Sequence, residues 1–344
     1  MKKIVIRLII FLIPFVLLAT NYLLIIHTKE RSGDLGRVGN RYFEKGYHAK
    51  LSPVIEEKYV KDIPVDSLPD SIYILCVGDS FSNKLLSVQR WNEYAGEKLN
   101  QQIVNIPPSN LSPANIILSY LSLCPDDRLP EIIIMETIER EAIPILSSLD
   151  FNNPENLDSI KYMPEDVFGI PPYSYRNAIE YYQRKLGMNL HLVYSDLKEP
   201  VFSAKGDESK LICYYQDTTH FSNKQVQMAY DKLEQLHNLA ERRGVQLFYL
   251  ICPNKSNVYW PYINENDKRM YYNVLDRTST FDTIPYVYSP LKMLRGIVSQ
   301  GEKDVFYCDD THWPPKTAKI VGEEMADFIL KQTTTQKNSH RKHE

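Results

Sequence analysis

The chain has 344 residues, with 40 lysines and arginines set against 43 aspartates and glutamates, for a formal net charge of -3. That balance excludes a nucleic-acid surface built on bulk positive charge, and the length leaves room for one large domain or two small ones. Five widely separated cysteines, Cys76, Cys124, Cys213, Cys252 and Cys308, show no metal-ligand spacing, and an odd count excludes complete internal pairing. Cys76, Cys252 and Cys308 lie in or beside apolar runs and read as small buried hydrophobes. No glycine-rich phosphate loop or internal repeat is present, and no cofactor or metal is expected.

At the amino terminus Lys2, Lys3 and Arg7 precede nineteen uncharged residues, Leu8 to Ile26. As a helix this run spans about 28 Å, close to the hydrocarbon thickness of a bilayer. It predicts one transmembrane helix within residues 1–30. Leucine and isoleucine continue past Ala19-Thr20-Asn21-Tyr22, which favours an uncleaved anchor over a cleaved signal peptide. Lys2, Lys3 and Arg7 favour a cytoplasmic start and an exported carboxyl domain, although His27, Lys29 and Arg31 follow the segment. Residues 31–70 are polar and proline-punctuated, and read as a tether.

The core then alternates strands and helices. Ile72 to Val77 is an apolar run that stops at Gly78-Asp79-Ser80-Phe81, as a buried parallel strand ending in a tight turn does. Such a turn puts Ser80 at the carboxyl edge of a sheet, where open α/β folds bind ligands. Gly-Asp-Ser is also an ordinary turn on backbone grounds alone. A helical stretch near 83–100, a strand at 102–106, a helix near 113–123 and a strand at 131–136 follow. The stretch 141–215, with a helix expected over 173–186, interrupts the alternation and reads as a cap insertion. Gln225 to Arg243 is a helix with Met228, Leu233, Leu236 and Leu239 at helical intervals, stopped by Gly244 before a strand at 245–252. Alternation of this kind predicts an α/β domain over 71–331, a parallel sheet covered by helices on both faces.

Near the other end stands Asp309-Asp310-Thr311-His312-Trp313, then Pro314-Pro315 and a helix from Lys316 to about Leu330 with Val321, Met325, Phe328 and Ile329 on one face. The tail 332–344 is low in complexity and reads as disordered. A serine hydroxyl is a poor nucleophile until a base takes its proton, and the base must be held in the right tautomer by a third group. His312 with Asp310 or Asp309 supplies both. Asp217-Thr218-Thr219-His220-Phe221 imitates this motif, but Ser222-Asn223 after it also fits a simple helix start, the preferred reading. Glu136, Glu139 and Arg140 have a bland reading as a solvated helix start, against one in which Arg140 positions an anionic sugar.

The serine turn and the acid-histidine element together resemble the SGNH hydrolase superfamily, and within it the branch of alginate O-acetyltransferases and DHHW proteins. Ile132 to Arg140 is similar to that branch's strand ending in Glu-x-x-x-Arg, and Gly244 to Tyr259 to its strand leading into Pro253, Lys255 and Tyr259. The likeness runs in pieces over residues 70–330, and two features depart from it. The serine precedes the histidine, as in ordinary SGNH hydrolases and unlike the alginate enzymes. The oxyanion-hole glycine and asparagine of the wider superfamily are replaced by Pro107-Pro108 and Glu136, and proline has no amide hydrogen to offer. The Ser80 backbone N–H remains a candidate donor, with Asn105 and Asn110 as side-chain candidates.

The resemblance implies a three-layer, flavodoxin-like SGNH domain behind the transmembrane helix, on the outer side of a bacterial inner membrane. It implies Ser80 as nucleophile, His312 as base and Asp310, through the branch motif ending in Trp313, as the orienting acid; the wider superfamily's spacing selects Asp309. Glu136, Arg140, Lys255, Tyr259 and Trp313 become substrate-side candidates. The implied activity is O-acetylation of a cell-envelope or secreted polysaccharide, the acetyl group being relayed by a multi-spanning membrane O-acyltransferase. A carbohydrate acetylesterase with the same triad and a catalytically silent polysaccharide-binding protein are the alternatives.

Overall fold

The computed structural model describes residues 2–29, 34–35, 47–51, 57–83, 90–162, 192–271 and 283–340. Its strands are Val60–Asp62 (β1), Ile74–Val77 (β2), Ile103–Ile106 (β3), Ile132–Ile138 (β4), Leu192–Asp196 (β5), Lys210–Tyr214 (β6), Gln246–Cys252 (β7) and Val287–Tyr288 (β8). Six of them form one parallel sheet in the order β1-β3-β2-β4-β7-β8, while β5 and β6 make a separate antiparallel ribbon. The central strands are apolar throughout because both faces of the sheet are covered: every residue of β2, β3 and β4 is buried. Around β2 the order reverses, the chain going first to β3 on one side and then to β4 on the other. That reversal is the topological switch point of a doubly wound sheet, and the crevice at its carboxyl edge is the expected ligand site.

The longer helices are Lys2–Lys29 (α1), Trp91–Leu99 (α2), Pro113–Leu123 (α3), Glu139–Ser147 (α4), Asn223–Arg242 (α5), Leu291–Ser299 (α6) and Pro315–His340 (α7). On one side of the sheet α2 packs against α7, and on the other α3, α4 and α5 pack together. Gly322 permits the first contact, since a Cβ there would lie 2.2 Å from the Trp91 carbonyl oxygen. Local signals set the helix ends. Ser112 caps α3 ahead of Pro113, Ser222 and Gln225 form a reciprocal capping box on α5, and Gly244 stops that helix at φ +72°. The buried stripe of α5 is Val226, Ala229, Leu233, Leu236 and Ala240, whereas Met228 points outward.

Several elements differ from the sequence reading. The tether is not free of the domain: Leu35 and Tyr47 are buried, and Val60–Asp62 adds an edge strand to the sheet. Three residues are too short a run for a strand period to register. The helix after the serine turn begins at Trp91, and 84–89 lie outside the described residues, as does the helix expected over 173–186. The stretch read as a cap opens with α4, a member of the helical layer, and ends with the β5–β6 ribbon. The terminal helix α7 runs on to His340, through residues read as a disordered tail.

Helix α1 is 28 residues long, and its described side chains, such as Ile10, Phe11 and Phe15, stand exposed rather than packed. Among the described residues no helix is long and apolar enough to cross a membrane. In α1 the described side chains end at Thr20.

Candidate active site

Ser80 follows β2 at the switch point, and the loop carrying residues 304–314 arrives beside it from the far end of the chain. His312 Nε2 lies 2.7 Å from Ser80 Oγ, and His312 Nδ1 lies 2.5 Å from Asp310 Oδ1. Asp310 Oδ1 also accepts the His312 backbone N–H at 2.9 Å, which locks acid and imidazole into one turn. Between the two candidate acids, the one on the ring is Asp310; Asp309 is buried alongside. Burial pulls the His312 pKa down, but the charges of Asp310, Asp34 and Asp79 outweigh it and leave it above the ordinary histidine range. Asp34, Asp310 and His312 place ligand-type atoms within 4.8 Å of one another. Both ring nitrogens already have hydrogen-bond partners there, Ser80 and Asp310.

The serine turn is fixed from beneath. Strand β4 continues three residues past the pairing of Val77 with Met135, which brings Glu136 under the turn. Glu136 Oε2 accepts the Asp79 N–H at 3.0 Å and the Ser82 hydroxyl at 2.7 Å. Gly78 is required by this approach, since a Cβ there would lie 2.5 Å from Glu136 Oε2 and 2.2 Å from Ser82 Oγ. Burial, reinforced by the neighbouring Asp79, pushes the Glu136 carboxyl well above its usual range. An uncharged acid is the cheaper form to bury there. Asp79 bridges the turn to β4, accepting from Phe81 N at 3.0 Å and Ile138 N at 2.7 Å. It does not act behind the histidine. The Ser80 backbone N–H has no acceptor among the described residues, which leaves it available to a developing oxyanion.

The asparagine candidates have other partners. Asn105 is fully buried, its amide nitrogen donating to Asp62 at 2.7 Å and to Asn83 Oδ1 at 2.8 Å. Asn83 in turn donates to the carbonyls of Gly78 and Asp79 at 3.1 and 2.5 Å, so Asn105 shapes the turn instead of reaching into the site. Asn110 is exposed and accepts from Lys161 N at 2.7 Å, clamping two loops together.

Glu136, Glu139 and Arg140 are not a solvated helix start. Both glutamates are fully buried, and Glu139 accepts from Asn254 N and Asn257 Nδ2. The Arg140 guanidinium, 13% exposed, faces Asp217 at 3.4 Å and lies 5.0 Å from the Tyr214 ring centroid. Thus the acid of the second Asp-x-x-His element serves to hold Arg140, while His220 is exposed just ahead of the α5 cap.

Lys255, Tyr259 and Trp313 support the acid-histidine loop from behind. The Lys255 ammonium donates to the carbonyls of Tyr307, Cys308 and Asp310 at 2.7, 2.8 and 3.3 Å, and it is 1% exposed. Tyr259 OH accepts from Phe306 N at 3.1 Å, and Trp313 packs edge-on against Phe81. All three touch the loop backbone or its packing. A separate cavity of about 620 Å³, lined by His237, Glu241, Gln246 and Tyr286, opens at the amino edge of β7, at the opposite end of the sheet from Ser80.

The chain matches no family model, no characterised protein and no solved structure. The likeness to SGNH enzymes therefore rests on the sequence motifs alone. Ser82, Asn83, Asp34 and Thr311 were missed in the sequence. Ser82 and Asn83 stand within three residues of Ser80, and that proximity is the one signal that marked them; Asp34 carried none.

Proposed function

We propose that the protein is an extracytoplasmic O-acetyltransferase that modifies a cell-envelope or secreted polysaccharide through an acyl-enzyme on Ser80. The observation that carries this reading is the continuous relay from Ser80 Oγ through His312 to Asp310 at the switch point of the sheet. In the proposed cycle His312 takes the Ser80 proton as Oγ attacks the acetyl carbonyl, then returns it to the leaving group as the tetrahedral adduct collapses to an ester. A sugar hydroxyl next attacks that ester, its proton passing through His312 back to Ser80 Oγ. Asp310 holds the tautomer and stabilises the imidazolium, and the Ser80 N–H faces the oxyanion.

The SGNH assignment, the α1 anchor in a bacterial inner membrane, the exported domain and a multi-spanning acyltransferase partner that supplies the acetyl group all belong to this proposal. Support for the anchor comes from the sequence alone, the uncharged run Leu8 to Ile26. Amino-terminal sequencing of membrane-extracted protein checks it, a start near residue 27 being the contrary result. With water in place of the sugar the same residues make an acetylesterase. A silent polysaccharide-binding role is favoured by one observation, the engagement of Asn105 away from the oxyanion position.

Intact-protein mass spectrometry after incubation with an activated acetyl ester tests the reading. One added acetyl group is expected in the wild type, none in Ser80→Ala, and less in His312→Ala. An adduct that persists in Ser80→Ala sinks the mechanism and puts the binding role ahead. Acetylated glycan appearing on addition of acceptor separates transferase from esterase.

A further inference from the structure

Asp34 is 276 residues from Asp310 in sequence, yet it touches the triad loop at the acid and at the residue that follows it. Its backbone N–H donates to Asp310 Oδ2 at 3.2 Å, the oxygen that His312 does not use. Its carboxylate accepts from Thr311 N at 2.9 Å and from Thr311 Oγ1 at 2.7 Å, gripping the residue between acid and base. Tyr214 OH, from the β5–β6 ribbon, donates to the same carboxylate at 3.1 Å. The next residue, Leu35, is fully buried against Leu192 and Ile212 of that ribbon. Two residues therefore cross from an apolar socket to the catalytic loop. Turning about its terminal torsion would carry Asp310 Oδ1 off the imidazole, and the hydrogen bond from Asp34 to Oδ2 opposes that turn.

We infer that residues 34–35 form a strap that completes the active site, with Asp34 as a positioning residue for Asp310 and His312, so that the segment just beyond the amino-terminal helix governs whether Ser80 is armed. This rests on the Ser80 reading above. Whatever draws residues 34–35 out of the ribbon disarms the serine. Asp34 also adds a negative charge near His312, alongside those of Asp310 and Asp79, and Arg140 interacts with Asp34 and Asp79 from the opposite sign.

The experiment uses the full chain in detergent micelles and reads two quantities. One is the pH midpoint of the His312 ring by NMR, assigned with His312→Gln; the other is the plateau rate at which a serine-reactive phosphonate labels Ser80. Asp34→Asn should lower the midpoint and slow the plateau between about ten- and a hundredfold, the scale of a misplaced catalytic group. Thr311→Val keeps the Asp34 charge but loses one of its bonds, so it should slow the plateau with little change in midpoint. Asp196→Asn, an exposed acid on β5, should change neither. Unchanged midpoint and plateau in Asp34→Asn overturn the inference while leaving the acyl-enzyme reading intact. A wild type that the phosphonate does not label overturns that reading instead, and the NMR midpoint still decides whether Asp34 acts on His312.

Discussion

Lys255→Met replaces a buried ammonium by a side chain of similar length with no donor. The carbonyls of Tyr307 and Cys308, bonded to it at 2.7 and 2.8 Å, are left dry, and the longer 3.3 Å contact to Asp310 is lost as well. Each unsatisfied buried acceptor costs about 1–3 kcal/mol, which gives about 2–6 kcal/mol for the two close ones. Relief from burying a charge offsets part of that, leaving a net loss of about 2–3 kcal/mol. For a domain of this size such a loss lowers the melting temperature by roughly 5–10 °C. The control is Lys316→Met, where a lysine 66% exposed pairs with Glu302; a surface pair of this kind contributes less than about 1 kcal/mol. Thermal melts of both variants, with phosphonate labelling of Ser80 well below the melting point, provide the assay. Lys255→Met should melt early and label slowly because Asp310 rides on the loosened loop. Melting within about 1 °C of wild type, or a loss matched by Lys316→Met, would refute the argument that Lys255 ties down this loop.

Asp310→Asn should lower turnover by roughly 10⁴, since an amide favours the wrong imidazole tautomer, while Asp309→Asn should be much milder; kcat of purified variants on an acetyl ester ranks them. Ser80 acylation needs a neutral His312, so its rate should rise with pH through the His312 pKa. Because the surrounding carboxylates raise that pKa, the half-maximal point should lie above 6.5. A pH–rate profile of labelling shows it, and a midpoint at or below that value contradicts the geometry. Glu136, whose carboxyl burial pushes well above its usual range, favours the folded state most at low pH. Its contribution declines as pH rises above the unfolded value near 4.5 and is lost through the higher folded pKa. Glu136→Gln removes that ionisation, so the melting temperature of the variant relative to wild type should climb steadily with pH. A constant difference would show that Glu136 does not titrate in this way.

Local pattern in the sequence determined much of the scaffold. The apolar runs around Ile74, Ile103, Ile132 and Leu247 form parallel strands, because residues buried on both faces leave no polar alternation. Ser112, Ser222 and Gly244 mark helix ends through backbone hydrogen bonds and a positive φ, which are properties of the residues themselves. Ser80 and the acid-histidine pair were legible for the same reason, each being a short segment whose chemistry is complete within a few positions.

Tertiary structure decided everything that depends on distant segments meeting. Sequence spacing left Asp309 and Asp310 as alternatives, and the fold of the loop puts Oδ1 of Asp310 on the ring. Glu136 looked like part of a solvated helix start until its strand ran three residues beyond its neighbour and buried it beneath the serine turn. Asn105 looked like an oxyanion donor until Asp62 and Asn83 took its amide. Asp34 and Lys255 carry no local mark of their contacts with the acid-histidine loop. A hydrogen bond across 276 residues leaves no periodicity to read, and it exists only because the sheet and ribbon bring both ends of the chain to one edge.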